Sequence, residues 1–218
     1  ERVQINYSYA DNKLYWHNGY FGAIFRSDPD GSKTEQVLTS VNQPVGIALD
    51  PYSKKVHWSE HFGLVKRASL DGVQRESLVN FNSGEDHLED IELDLKNNKM
   101  YWCISSVETG NDILQANLDG STFVKNFWDG SSFPFGIAVD PVRGHIYWSW
   151  TGNSNLSGGI AKLNMDGTDV SSPVYDEYPY EGEFVFHGPR GLAIDFKNER
   201  LYWAEHRGNI LRMTLDGS

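Results

Sequence analysis

The sequence predicts an all-β fold, a β-propeller, and three observations predict it. An aromatic-Trp pair recurs five times in 218 residues: Tyr15-Trp16, His57-Trp58, Tyr101-Trp102, Tyr147-Trp148 and Tyr202-Trp203. Successive tryptophans lie 42, 44, 46 and 55 residues apart, close to the period of a four-stranded blade. About ten residues before most of these pairs stands a second motif, and after each comes an Asp-Gly. No segment has helical periodicity of useful length.

Each repeat reads as four short strands. Strand one is Gly46-Ile47-Ala48-Leu49-Asp50, Gly136-Ile137-Ala138-Val139-Asp140 or Gly191-Leu192-Ala193-Ile194-Asp195. Large and small residues alternate there, which is the period of a strand, and the small ones admit a neighbouring sheet. The third repeat degrades the motif to Asp90-Ile91-Glu92-Leu93-Asp94, and the first keeps only Ile5-Asn6-Tyr7-Ser8. A polar turn such as Asp50 to Lys54 follows. Strand two carries the aromatic-Trp pair. Strand three is typified by Leu64 to Leu70, strand four by Glu76 to Val79, and Asp71-Gly72 marks the hairpin between them. Blades are expected at about 1–40, 41–80, 81–128, 129–175 and 176–218 of one domain.

Packing is a sufficient reason for Trp16, Trp58, Trp102, Trp148 and Trp203. A large aromatic at one fixed place per repeat fills the gap between adjacent blades. Turn formation is a sufficient reason for Asp50, Asp94, Asp140 and Asp195.

Together the three motifs resemble the low-density lipoprotein receptor class B, or YWTD, repeat, over essentially the whole chain. That resemblance implies an extracellular propeller, usually of six blades, that binds protein ligands and is not an enzyme. The family tetrapeptide Tyr-Trp-Thr-Asp appears as Tyr-Trp-His-Asn (15–18), His-Trp-Ser-Glu (57–60), Tyr-Trp-Cys-Ile (101–104), Tyr-Trp-Ser-Trp (147–150) and Tyr-Trp-Ala-Glu (202–205). None keeps the final Asp, which in the family helps to tie blades together. Asn18, Glu60 and Glu205 are partial substitutes; Ile104 and Trp150 are not.

Five repeats leave the ring open to three readings. It has five blades, with Arg2 to Ile5 supplying the last strand; or these are five blades of a six-bladed ring in a longer polypeptide; or open blade edges pair with another chain, as in a homo-oligomer.

Loops before strand one and after strand two are expected on one face, and they vary while the strands repeat. The longest, Asp176 to Arg190, holds Tyr178, Tyr180 and Phe184 interleaved with Glu181 and Glu183. These residues, with Tyr20, Phe62, Phe133 and Trp150, form the expected ligand-binding patch. Aromatics are enriched at binding hot spots, and the carboxylates favour a basic ligand. The alternative for the long loop is a plug folded over its own aromatics. Sequons at Asn155 and Asn6 mark glycosylation sites if the chain is secreted; Asn6 falls in an inner strand.

Lys and Arg number 19 against 30 Asp and Glu, a formal charge of −11. That balance repels nucleic acid and anionic lipid, and no apolar run is long enough to span a membrane. Cys103 is the single cysteine and reads as a buried structural thiol. His61 and His206 share Glu-His-x-Gly, but no metal-binding cluster, nucleophile elbow or phosphate loop appears. No cofactor is expected. A protein-binding module, extracellular, secreted or the ectodomain of a receptor, is the favoured reading. A carbohydrate-binding propeller, or lectin, is the alternative, and a metal-dependent hydrolase-like propeller the third.

Overall fold

The computed structural model describes residues 4–80, 87–105, 111–130, 133–151, 158–168, 171–176, 188–205 and 208–216. They form 19 strands in five antiparallel meanders, with no helix among them. The first sheet is β1 (Ile5–Ser8), β2 (Lys13–Asn18), β3 (Ala23–Ser27) and β4 (Glu35–Leu38). The second is β5 (Pro44–Asp50), β6 (Lys55–Glu60), β7 (Leu64–Ser69) and β8 (Glu76–Asn80). The third is β9 (His87–Asp94), β10 (Lys99–Ser105), β11 (Asn111–Asn117) and β12 (Val124–Gly130). The fourth is β13 (Phe133–Asp140), β14 (His145–Thr151), β15 (Gly159–Asn164) and β16 (Ser171–Asp176). The fifth, β17 (Pro189–Asp195), β18 (Arg200–Glu205) and β19 (Ile210–Thr214), has three strands among the described residues.

β1 belongs to the first sheet: Ile5 pairs with Trp16 and Ser8 with Lys13. β1 is the edge strand of this meander. No helix of the described residues is long and apolar enough to cross a membrane.

The chain divides into two compact units, and the division runs through the third sheet. One comprises Glu1–Trp102 and Gln115–Phe123; the other comprises Cys103–Leu114 and Val124–Ser218.

In the first unit Trp58 is buried with Tyr15, Ile24 and Leu38 of the first sheet and Ile47 and Val56 of its own. The tryptophan thus fills the space between two successive sheets. In the second unit Trp203 does the same with Ala138, Tyr147 and Ile160 of the fourth sheet. Burying such a ring stabilises by about 3 kcal/mol, the upper end for a large apolar side chain. Trp16 is half-buried and stacks on Phe25, centroids 5.8 Å apart.

Sheets approach closely because strand one presents no side chain there. A Cβ on Gly46 would lie 2.9 Å from both Glu89 O and Ile91 N. One on Gly136 would overlap the Arg190 carbonyl oxygen. The Asp that ends strand one folds the following turn. Asp50 Oδ1 accepts N–H bonds from Tyr52 and Ser53, Asp140 from Val142 and Arg143, and Asp195 from Lys197 and Asn198. Gly72 of the Asp-Gly turn has φ +83°, a conformation that costs glycine nothing.

The links between sheets come from the third residue of the tetrapeptide. Ser59 Oγ donates to Glu89 O at 2.9 Å in the first unit. In the second, Ser149 Oγ donates to Arg190 O at 2.6 Å and Cys103 Sγ lies 4.0 Å from Gly136 O. The aromatic that opens the tetrapeptide adds another bond. Tyr15 Oη and Arg26 Nη1 donate to Leu70 O at 3.3 and 2.9 Å, and Tyr147 Oη donates to Leu215 O at 2.9 Å. In the second sheet His57 takes the tyrosine's place, and Arg67 Nη1 reaches Leu118 O at 2.9 Å. The fourth residue stays within its neighbourhood instead. Buried Glu60 accepts from Trp58 Nε1 at 3.1 Å and pairs with Lys66 at 2.9 Å. Where that residue is Ile104, the buried Trp102 Nε1 finds no acceptor among the described residues.

Candidate ligand-binding rim

Strand one opens on the same tripeptide in three sheets: Pro44-Val45-Gly46, Pro134-Phe135-Gly136 and Pro189-Arg190-Gly191. Its ladder to strand two slips at that point each time. Such bulges re-aim a side chain and are common beside functional sites. The middle residue of each tripeptide is therefore set by the bulge. In the third sheet Leu88-Glu89-Asp90 takes the equivalent place.

In the first unit this position borders a cleft of about 620 Å³ lined by Gly19, Tyr20, Gln43, Pro44, Val45, His61 and Glu89. The loop after β2 supplies Gly19 and Tyr20. The entry to β5 supplies Gln43 to Val45, the loop after β6 supplies His61, and β9 supplies Glu89. Main-chain bonds hold the walls: His61 N donates to Gln43 O at 3.1 Å, and Leu88 N to His61 O at 3.2 Å. His61 stacks on His87, centroids 4.1 Å apart, and meets Phe62 edge-on at 5.1 Å. Tyr20 is 80% exposed and packs edge-on against Phe21. Glu89 is 6% exposed at the cleft wall. The result is an aromatic and imidazole rim with Glu89 in its wall.

In the second unit the guanidinium of Arg190 lies over the Phe135 ring, Cζ 4.7 Å from its centroid. Pro134 pairs with Trp150, and Phe133 with Thr151, at the same strand ends. Phe133 and Trp150 are half-buried. Phe62, by contrast, is 47% exposed.

Tyr178, Tyr180, Glu181, Glu183, Phe184, Asn155 and His206 lie outside the described residues. Asn6 is half-buried in β1 and its Nδ2 donates to Ile47 O. Its amide is thus engaged in the packing of the first two sheets. Among the described residues, no three His, Cys, Asp or Glu are grouped to hold a metal ion. Cys103, the single cysteine, is buried.

Burial sets the unusual titrations. It lowers the His17 and His57 imidazoles to about 4, aided at His57 by the Arg67 charge. Burial and the nearby Asp90 carboxylate raise Glu92 to about 8. Asp90 and Glu92 stand where the second, fourth and fifth sheets carry glycine and alanine.

Sequence reasoning missed Glu89, Arg190 and Phe135. The Pro-x-Gly that opens three strands was the available signal, because proline and glycine flank an irregular strand start.

No protein-family model matches the chain. A fungal protein of Pyricularia oryzae named low-density lipoprotein receptor-related protein 1 is 28% identical over 208 residues, covering 84% of this chain and 64% of its own. The vitellogenin receptor of Solenopsis invicta is 26% identical over 195 residues, covering 87% of this chain and 10% of the receptor. A Cochliobolus heterostrophus protein named 3-hydroxyacyl-CoA dehydrogenase-like is 24% identical, covering 98% of this chain and 51% of its own. The chain therefore spans less than two thirds of each of these relatives. A crystal structure of a nidogen/laminin complex contains a chain of the same fold, with TM-score 0.71 and 22% identity, covering 97% of this chain and 73% of that one.

Proposed function

Given that this chain carries the YWTD repeat of the low-density lipoprotein receptor class B propellers, we propose that it is a non-catalytic extracellular module that grips a protein partner by its loop rim. One observation carries the reading. The cleft between Tyr20, His61 and Glu89 joins exposed aromatic surface to a nearly buried carboxylate on a rigid scaffold. Aromatic anchors beside a desolvated charge are the composition of a protein-binding hot spot. The carboxylate and the chain's negative charge suit a lysine or arginine side chain of the partner. Relatives named as receptors support an ectodomain setting.

Selection from a phage-displayed random peptide library tests the reading. Selected peptides are expected to carry Lys or Arg. Tyr20→Ala and Glu89→Gln should each weaken them about tenfold, roughly 1.4 kcal/mol, with unchanged thermal unfolding. Unchanged affinity in both variants, or binding only on a glycan array, overturns it.

A further inference from the structure

The strongest unassigned feature is Arg190. Its guanidinium is half-buried, its Nε is buried without a hydrogen-bond partner, and no carboxylate among the described residues pairs with it. Burial lowers its proton affinity. A desolvated, uncompensated cation is costly. Among the described residues, a buried guanidinium nitrogen with neither a hydrogen bond nor an acid calls for a reason.

Its placement is firm. Arg190 is in the bulge that opens β17, between Pro189, paired with Glu205, and Leu192, paired with Trp203. Its carbonyl accepts the Ser149 hydroxyl at 2.6 Å, and the same hydroxyl accepts from Gly136 N at 2.9 Å. The neighbouring strand abuts this carbonyl so closely that Gly136 has no room for a side chain. The backbone is thus pinned from one side while the side chain rests on Phe135. A guanidinium presents its N–H donors in a rigid fork that matches a carboxylate. Little ordering remains to be done on binding.

We propose that Arg190 on Phe135 receives an aspartate or glutamate side chain of a bound protein. The inference rests on the reading of the chain as a protein-binding module, at a place separate in sequence from the Tyr20 cleft. A peptide carboxylate fits better than a multiply charged anion. The chain's net negative charge repels the latter at long range, whereas one carboxylate delivered by a docked segment acts within the roughly 8 Å over which salt leaves charges unscreened.

Nitrogen-15 NMR of the Arg190 Nε signal in the 218-residue chain tests this. The probe is the blocked peptide Ac-Gly-Asp-Asp-Gly-NH2, with Ac-Gly-Asn-Asn-Gly-NH2 as its neutral isostere. The acidic peptide is expected to shift the Arg190 signal saturably, with a dissociation constant of order 1 mM, weak as suits one contact. The isostere should bind at least about fivefold more weakly, roughly 1 kcal/mol. Arg190→Gln should abolish binding while its melting temperature stays within about 2 °C of the parent or rises. Tyr20→Ala should leave this titration unchanged, so failure of the cleft reading and of this one are distinguishable. Three results overturn the proposal: equal binding of the isostere; no saturable shift; or an Arg190 signal that already reports a carboxylate titrating between about pH 3 and 5 in the peptide-free protein. Marked destabilisation by Arg190→Gln likewise overturns it, since it would give the guanidinium a purely structural role.

Discussion

The fourth and fifth sheets share Pro-x-Gly-x-Ala-x-Asp on strand one and an aromatic-Trp pair on strand two, yet their surroundings differ. In the fourth, Gly136 and Ala138 are buried, Ser149 is fully buried and Tyr147 reaches Leu215 O. In the fifth, Gly191, Ala193 and Ala204 are exposed, and a Cβ on Gly191 would meet nothing within 4 Å. Ile210 is 76% exposed on β19, where the fourth sheet's Gly159 and Ile160 are buried. Identical motifs therefore carry different energies, because the motif acts only when another sheet lies against it.

The largest expected contrast is between the two glycines. Gly136→Ala should cost about 3 kcal/mol or more, since backbone must move to admit the methyl. Gly191→Ala should stay within about 0.5 kcal/mol. Urea unfolding of both variants checks this, and equal losses would break the comparison. Next comes the hydroxyl that bridges Gly136 N and Arg190 O. Ser149→Ala should cost about 1–3 kcal/mol by leaving buried groups unpaired, whereas Ala204→Ser should be near neutral. Smaller still, Tyr147→Phe should cost about 1 kcal/mol and Tyr202→Phe a few tenths, because only the former hydroxyl has a carbonyl to reach among the described residues.

Titration sharpens a different contrast, between the sheet interfaces of the first unit and strand one of the third sheet. His17 and His57 have folded pKa values of about 4, below the ordinary value near 6.5. The unfolded chain binds these protons first, so stability falls as the pH drops from about 6.5 to about 4. Glu92 acts in the opposite sense. Raised to about 8, it keeps its proton in the folded state, so stability falls as the pH climbs from about 4.5 to about 8. Glu92→Gln should remove that alkaline loss and raise the melting temperature at pH 8 by about 2–4 °C. A variant whose stability tracks the parent at every pH would show Glu92 to be ordinarily solvated.

Most of the fold was legible because its signals are local. Alternation in Gly46 to Asp50, the Asp-Gly turns and the spacing of the tryptophans each depend on a few neighbouring residues. The inter-sheet links were less legible. The departure from a final Asp at Ile104 and Trp150 put them in doubt, but Ser59 and Ser149, each the third residue of its tetrapeptide, carry such links. A serine beside a tryptophan shows nothing of which carbonyl will face it. The candidate site was legible only in outline. Exposed aromatics such as Tyr20 and Phe62 stood out, whereas Glu89 and Arg190 look like ordinary charges in a row.

By itself the sequence determined the repeat, the strands and the turns, because each is settled by side-chain period and backbone preference within about ten residues. Only the tertiary structure decided that Gly136 is crowded and Gly191 is not. It alone brought Tyr20, His61 and Glu89 to one cleft and left Arg190 on Phe135 without a counter-charge among the described residues. Those facts depend on which surfaces meet across tens of residues, and burial, not composition, sets what a charge or a methyl group costs.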